Sequence, residues 1–163
     1  MIRLRCVRPT QAWIALLFAL LISMTNVEVA MAGESVERQY AEGQVWTFRA
    51  RAGEEGATLL INKVEEDPRL GAIYHISVFG VRLDNPRAPG GATTELPHFP
   101  VSRETLDKSC LELQGVREPN PEYLRGYGEW REVFDAGRAG VFDISVADIV
   151  DIVQSAIAQS TVQ

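Results

Sequence analysis

The stretch LPHFPVSRETLDKSC, residues 96–110, holds the residue types from which a nucleophilic catalytic site could be built. It contains His98, one of the two histidines in this 163-residue chain, and Cys110, the only cysteine beyond the first ten residues. A cysteine thiol becomes a nucleophile when a histidine at hydrogen-bond distance accepts its proton. His98 and Cys110 are therefore the candidate catalytic residues, as a thiol–imidazole pair.

The same stretch also has the pattern of a helix entry, which gives these residues structural roles. Two prolines hold the residues before the helix extended, and Ser102 is a suitable N-cap. Beyond it, Leu106, Cys110 and Leu113 fall on one helical face. This pattern predicts that Cys110 points into the core as a small apolar side chain, and that His98 is exposed between the prolines.

Charged residues in the loop AGEEG and just before it form a second candidate site. Glu54 and Glu55, with Arg51 and the exposed His98, could bind a cation or a charged ligand. Neighbouring carboxylates on a turn generally point apart, whereas glycosidase chemistry needs two that face each other at roughly 5–10 Å. Ordinary solvated turn residues are the alternative interpretation of this loop and of the acidic residues 65–67.

The sequence lacks the spacings that identify metal, nucleotide and serine-hydrolase sites. It has no His-Glu-x-x-His, Cys-x-x-Cys, Gly-x-x-x-x-Gly-Lys or Gly-x-Ser-x-Gly motif. Histidine and cysteine are too few for a closed zinc site unless carboxylates contribute. We therefore expect no metal and no cofactor. His75 alternates with apolar residues in a strand pattern, so we expect a hydrogen-bonded sheet residue there rather than a general base.

Periodicity predicts an α+β fold in which strands come first and helices later. The segments VWTFRAR, TLLINKVE and AIYHISVFGVRL alternate as strands and are joined by short turns, which indicates an antiparallel meander. DNPRAPGGATTELP, residues 84–97, is a loop by composition. GVFDI is a short fourth strand or an extended link. We expect a three- to four-stranded sheet packed on one face by about three helices.

One helical pattern begins at Asn120, a good N-cap, with Pro121 in its first position, and stops at Gly137. Its aromatic residues recur at helical spacing and share one face: Tyr123, Tyr127, Trp130 and Phe134. Covering the sheet is the favoured role of this face, and a ligand platform is the alternative. A further amphipathic helix follows Ser145.

The N-terminus has the three parts of a secretory signal. Three arginines within the first eight residues precede an apolar run at 12–24, and Ala-Met-Ala at 30–32 is a peptidase site. Thirteen apolar residues fall short of the roughly 20 that span a bilayer. We expect a cleaved signal peptide at 1–32 and a single domain at 33–163, with a loose arm at 33–42 and no membrane span. The protein is then periplasmic or secreted.

Removing residues 1–32 would take away three of the 16 basic and one of the 22 acidic side chains, leaving 131 residues with a net charge of −8. This charge disfavours nucleic acid and anionic membranes as partners, because both are bound through basic patches. A basic partner and simple solubility are both compatible with it. Because only Cys110 remains, an intrachain disulfide is excluded, and the thiol is buried, reactive or bonded to another chain.

The strings YAEGQVWTFRARAGEEGATLLINKVE, IYHISVFGVRL, LPHFPVSRETLDKS and GVFDISVADIV resemble a group of small, uncharacterised exported bacterial proteins, over residues 40–157. The resemblance implies a bacterial envelope or secreted location and assigns no functional residues. We expect a non-catalytic exported domain that binds a protein or a small ligand, in an oligomeric state that stays open. One alternative is a small hydrolase or transferase that uses His98 with loop carboxylates or Cys110. The other is an acidic inhibitor or immunity-like protein that blocks a basic enzyme.

Overall fold

A computed structural model describes residues 38–161, which contain five β-strands. The strands are β1 (Gln44–Phe48), β2 (Thr58–Asp67), β3 (Gly71–Asp84), β4 (Ala92–Ser102) and β5 (Cys110–Val116). They form one antiparallel sheet with the order β4-β3-β2-β1-β5. The first three strands form the predicted meander, β4 extends it by one strand, and β5 returns beside β1. The two edge strands are therefore β4 and β5.

Three α-helices accompany the sheet within the described range. They are α1 (Arg103–Ser109), α2 (Tyr123–Asp135) and α3 (Val146–Thr161), and a short 3-10 turn at Pro89–Gly91 precedes β4. The α+β prediction is confirmed, with five strands where we expected three to four. Residues 38–161 belong to one compact unit.

Alternation along β3 gives the sheet two different faces. Tyr74, Ile76 and Val78 point towards α1 and α3, whereas His75 and Ser77 point the other way. The first face carries the main apolar core, and its fully or almost fully buried members include Leu59, Ile61, Val101, Leu106, Cys110, Val146, Ile149 and Val150. Burying a side chain of this size stabilises the fold by roughly 1.5–3 kcal/mol.

The second face is covered by α2, which contacts β3 and β4. Its Phe134 is buried, as are Leu60 and Ile73 of the sheet, and none of the three belongs to the main core. The helices are thus divided between the two faces, where we expected them on one. The reason is that β3 is buried on both sides, so its second face also needs a cover.

Strand β4 runs through the segment that we predicted as a loop and a stiff helix entry. Pro97 and Pro100 lie inside it, and an edge strand tolerates them because its outer positions need no N–H for a neighbouring strand. Between Leu96 and Phe99, β4 has one residue more than β3, which supplies only Ser77 there. This extra residue is a β-bulge, which bends the strand and redirects its side chains.

The helix predicted after Ser102 is shorter than expected, because it ends at Ser109 and Cys110 begins β5. The predicted burial of Cys110 is confirmed, although on a strand, and Leu113 is 48% exposed where we expected it on a buried helical face. The segment GVFDI is an extended link, with a single bridge between Phe142 and Val101.

The predicted signal peptide at 1–32 and the first half of the predicted arm lie outside the described residues. The second half of the arm, residues 38–42, is attached to the domain where we expected a loose segment. Tyr40 is buried and donates to Asp107 Oδ1 at 3.0 Å, and Arg38 Nη1 donates to the Cys110 carbonyl at 2.8 Å. Among residues 38–161, we find no helix with the length and apolarity needed to cross a membrane.

The cap of α1 yields a stability prediction. Ser102 Oγ accepts a hydrogen bond from the Thr105 N–H at 3.3 Å, as its place before the helix predicts. Ser102→Ala leaves this N–H without that acceptor and should lower the free energy of unfolding by about 1 kcal/mol in urea denaturation. The matched control, Ser155→Ala at an exposed site within α3, should change it by no more than a few tenths of a kcal/mol. Equal effects at both sites would contradict the capping role.

Candidate functional site

Strand pairing brings Glu65, His75 and His98 together from β2, β3 and β4. His75 is the register partner of Lys63 on one side and Pro100 on the other, so Glu65 lies diagonally next to it on the same face. His98 lies in the β4 bulge, where its ring can turn towards His75. Their facing atoms, His75 Nδ1 and His98 Nε2, are 3.0 Å apart, and the two ring planes differ by 13° with centroids separated by 5.2 Å. We call these three residues the histidine cluster.

Helix α2 lies over the histidine cluster. The rings of Tyr127 and Trp130 meet the His75 ring edge to face, with centroids at 4.8 and 4.9 Å. The Tyr127 hydroxyl donates to Glu65 Oε2 at 3.0 Å, and Arg131 Nη1 donates to Glu65 Oε1 at 2.9 Å. The aromatic face of α2 therefore covers the sheet and packs on the imidazole rings. The Glu65 carboxylate accepts hydrogen bonds from two side chains of the helix.

His75 is fully buried, and its Nε2 lies 3.4 Å from Glu65 Oε1 without the alignment of a hydrogen bond. It is the one buried side-chain nitrogen or oxygen without a hydrogen-bond partner in the part of the chain that the structure describes. The adjacent carboxylate favours a proton on this nitrogen, which leaves His75 Nδ1 as an acceptor. His98 Nε2 must then carry the donated proton, and His98 Nδ1 keeps a lone pair.

The surroundings hold both histidines neutral. Burial lowers the pKa of His75, and the nearby Glu65 carboxylate offsets only part of this effect. Burial, together with the charge that His75 would carry, lowers the pKa of His98 to about 4. Burial alone would raise the pKa of Glu65, but the Tyr127 hydroxyl and the neighbouring positive groups outweigh it and hold that pKa below its usual value.

A glycine lets α2 approach His98 closely. A Cβ atom added at Gly126 would lie 2.8 Å from the His98 Cβ and 3.2 Å from its Nδ1. Two residues further along the same helix, a Cβ added at Gly128 would meet nothing within 4 Å. Helix α2 therefore packs directly against the His98 side chain at Gly126.

A row of polar contacts fixes the linker that leads into α2. Asn62, the extra residue of a bulge in β2, donates to Ser77 Oγ at 2.8 Å, and Ser77 donates to the Pro97 carbonyl at 2.7 Å. The Asn120 N–H donates to Asn62 Oδ1 at 2.8 Å, and Asn120 Nδ2 donates to Glu95 Oε1 at 2.6 Å. Asn120 thus anchors the linker to three strands, and α2 begins two residues later than predicted.

The structure separates the two predicted catalytic residues. His98 is on the edge strand β4 and bonds to His75, whereas Cys110 is on the opposite edge strand β5 and points into the main core. His98 is half-buried, where we expected it to be exposed. Burial raises the pKa of the Cys110 thiol to about 12, so it is protonated at neutral pH.

The charged residues predicted as a binding site contact each other and not His98. Arg51 forms an ion pair with Glu54, which is 8% exposed and also accepts the Arg82 N–H at 2.6 Å. The same arginine reaches Asp151 of α3 at 3.1 Å, and Glu55 accepts a backbone N–H of its own loop at 2.8 Å. The Arg51 hydrogen bonds lower the pKa of Glu54. These contacts fasten the β1–β2 loop to β3 and α3.

The order Glu65, His75, His98 matches an arrangement known from catalytic sites. In such a site a general base, here His98, is oriented by a second group, here His75, and by a third, here Glu65. A general base must also reach a substrate proton, and at Gly126 helix α2 leaves no room for even a Cβ atom beside the His98 side chain. Among residues 38–161, no group of three or more His, Cys, Asp or Glu side chains could hold a metal ion. In the histidine cluster this follows from geometry, because the two imidazoles direct nitrogens at each other. In this structure the histidine cluster attaches α2 to the sheet.

Sequence reasoning did not single out Glu65 or Arg131 as site residues, and it considered Tyr127 only as part of an aromatic face. We expected Glu65 in a solvated turn, but β2 extends to Asp67 and carries its side chain onto the second face. A partial signal was present, since Tyr127 and Arg131 are four residues apart and share a helical face. The sequence does not say which carboxylate that face meets, because this depends on strand order.

The two glycines of α2 allow a matched test of the close approach at His98. Gly128→Ala should raise the free energy of unfolding by about 0.5–1 kcal/mol, because alanine favours a helix. Gly126→Ala brings the same propensity gain but forces its Cβ against His98, so we expect a net loss of about 1–3 kcal/mol. Denaturant titration of both variants gives the comparison. Stabilisation by both substitutions would show that α2 does not lie against His98.

Thiol labelling tests the position of Cys110. At pH 8 the folded protein should react with a small disulfide reagent at least 100-fold more slowly than the protein in 6 M guanidinium, because the native thiol is buried and its pKa is raised to about 12. Rapid labelling of the folded protein would show an accessible, activated thiol and would restore it as a candidate nucleophile.

Comparisons with protein-family models, with curated proteins and with solved structures found no match to this chain. The contacts and exposures of residues 38–161 are therefore the basis on which a function can be proposed.

Proposed function

We propose that this protein is an exported, non-catalytic domain of the bacterial envelope that binds a protein partner through β5. The supporting observation is a set of three exposed aliphatic residues on this edge strand. Leu111, Leu113 and Val116 are 42%, 48% and 74% exposed within a strand of seven residues. Single exposed apolar residues are ordinary on protein surfaces, and three of them within seven residues support a contact site here.

The partner contacts the side chains of β5 and does not extend the sheet. The register between β5 and β1 shifts twice, so β5 is bulged. Both backbone groups of Glu112 are engaged by the Thr47 hydroxyl, which donates to the Glu112 carbonyl and accepts its N–H. Bulges and charges on an edge strand disfavour the addition of another strand. Docking of an apolar surface on the exposed leucines remains open.

The acidic character of the chain favours a partner with basic groups around its apolar contact. The predicted mature chain carries a net charge of −8, and Glu112 lies between the two exposed leucines. Complementary charge raises the association rate and makes it depend on salt. An acidic inhibitor of a basic enzyme is one form that this binding function could take.

A small hydrolase or transferase is the second candidate, favoured by the oriented order of the histidine cluster. It would need space for a substrate beside His98 Nδ1, where α2 now lies. The non-catalytic proposal is better supported because the groups suited to chemistry are engaged within the fold: His98 by His75, Glu54 by Arg51, and the Cys110 thiol by burial.

Site-specific photo-crosslinking in living bacteria tests the proposal. We expect a photoreactive phenylalanine at Leu113 to give a discrete adduct heavier than the monomer, since this side chain would face the partner. The same residue at Leu124, which is 56% exposed on α2, is the matched control and should give little or no adduct. Yields from Leu113 should fall several-fold when the cells are opened into high salt before irradiation.

Absence of any adduct from Leu111, Leu113 and Val116 would overturn the proposal. Equal adducts from Leu113 and Leu124 would show non-specific contact and would count against it as well.

A further inference from the structure

We propose that the histidine cluster is an acid-sensitive latch: protonation of His75 and His98 releases α2 from the sheet while the core on the opposite face stays folded. This inference is independent of the binding surface on β5. It rests on the charges around the two imidazoles, on the atoms that cover them, and on the separation of α2 from the main core.

The charged groups around the pair balance only while both histidines are neutral. From β2, Glu65 and Lys63 face the pair, with the ammonium 4.0 Å from the Glu65 carboxylate. From α2, the Tyr127 hydroxyl and Arg131 contact the same carboxylate, and Asp135 binds the other side of Arg131 at 2.7 Å. Two carboxylates therefore face two cations, and protonating both histidines would add two uncompensated positive charges.

The geometry also offers added protons no acceptor. A proton on His98 Nδ1 would find no hydrogen-bond acceptor among the described contacts of this side chain, which α2 approaches closely at Gly126. When both rings are protonated, the hydrogen bond between them is replaced by two N–H groups that face each other across 3.0 Å. A buried charge without a partner costs several kcal/mol, and moving α2 away lets water solvate both imidazolium rings.

The direction of the pH dependence follows from the pKa of His98. It is about 4 in the closed structure, against about 6.5 for an exposed histidine, so the closed form binds fewer protons than the open form. The stability of the closed form relative to the open form is greatest above pH 6.5, and it decreases as the pH falls from about 6.5 to about 4. Across this window, His98 alone shifts the ratio of open to closed protein by about 300-fold.

Release can be local because α2 is attached to the domain mainly through this cluster and through flanking segments. The main core includes side chains from all five strands, α1 and α3, and none from α2. Outside the cluster, α2 is held by the packing of Phe134 and by the Trp130 indole N–H, which donates to the Gly140 carbonyl at 2.9 Å. The segments 117–122 and 136–145 connect it to β5 and α3, so the helix can move without unpairing the sheet.

Tryptophan fluorescence distinguishes release of α2 from global unfolding. Trp130 lies 4.9 Å from His75, whereas Trp46 is buried in the main core. The emission spectrum of Trp130 is obtained by subtracting the spectrum of the Trp130→Phe variant from that of the exported wild-type protein, at each pH from 7.5 to 3. We expect this signal to shift to longer wavelength with a midpoint between pH 6.5 and 4. The Trp46 signal should stay constant over the same range.

The variant His98→Gln keeps an N–H donor for His75 but cannot be protonated, so it should move the Trp130 midpoint at least one pH unit lower. Nuclear magnetic resonance of the two histidine rings provides a second measurement on the wild-type protein. Both rings should titrate in the same pH window as the Trp130 signal. A Trp130 signal that stays flat down to pH 3.5, or that changes together with Trp46, would overturn the latch. So would histidine rings that titrate near pH 6.5 with α2 in place.

Discussion

The hydrogen bond between His75 and His98 is the constraint on which the second face of this domain depends. It joins β3 to the bulge of β4 and requires at least one neutral imidazole, because only one proton fits between the facing nitrogens. The remaining features of that face serve this pair. Glu65 sets the tautomer of His75, two aromatic rings of α2 cover it, and Gly126 lets the helix backbone approach His98.

The two faces of the sheet differ in how they are stabilised. The face under α1 and α3 is a conventional apolar core, whose stability grows with buried area. The face under α2 contains two histidines, an ionised carboxylate and a row of polar contacts through Asn62, Ser77 and Asn120. Such a network orients the helix well, but each member depends on the protonation state of the others. A domain built in this way can lose one face and keep the other.

Local patterns in the sequence predicted the elements whose causes are local. Alternation gave the three central strands, Ser102 gave the cap of α1, and the spacing of Tyr127 and Trp130 gave the aromatic face of α2. The errors arise where tertiary pairing decides the outcome. The prolines of LPHFP indicate a loop unless the segment is an edge strand, as it is here. Cys110 continues a helical pattern in the sequence, but it pairs with β1 and therefore belongs to β5. Neither fact can be read from neighbours in sequence.

The candidate site was the least predictable part for the same reason. His98 was identified from its own position, but His75 was interpreted as a sheet residue and Glu65 as a turn residue, because their meeting depends on two bulges and on the order of three strands. A His98–Cys110 pair was the catalytic alternative to a structural interpretation of this stretch, and the sheet places these two residues on opposite edges. Strand order, and not residue type, therefore decides which groups can act together here.

The most direct test of the central claim is a double-mutant cycle between His75 and His98, with phenylalanine at either position or at both. The coupling energy is the part of the unfolding free energy that the two side chains contribute only together. If the imidazole pair holds the second face, the coupling at pH 7 should be about 1 kcal/mol or more and should vanish near pH 3.5. A coupling close to zero at pH 7 would contradict the account, because the two histidines would then be independent residues under an ordinary helix.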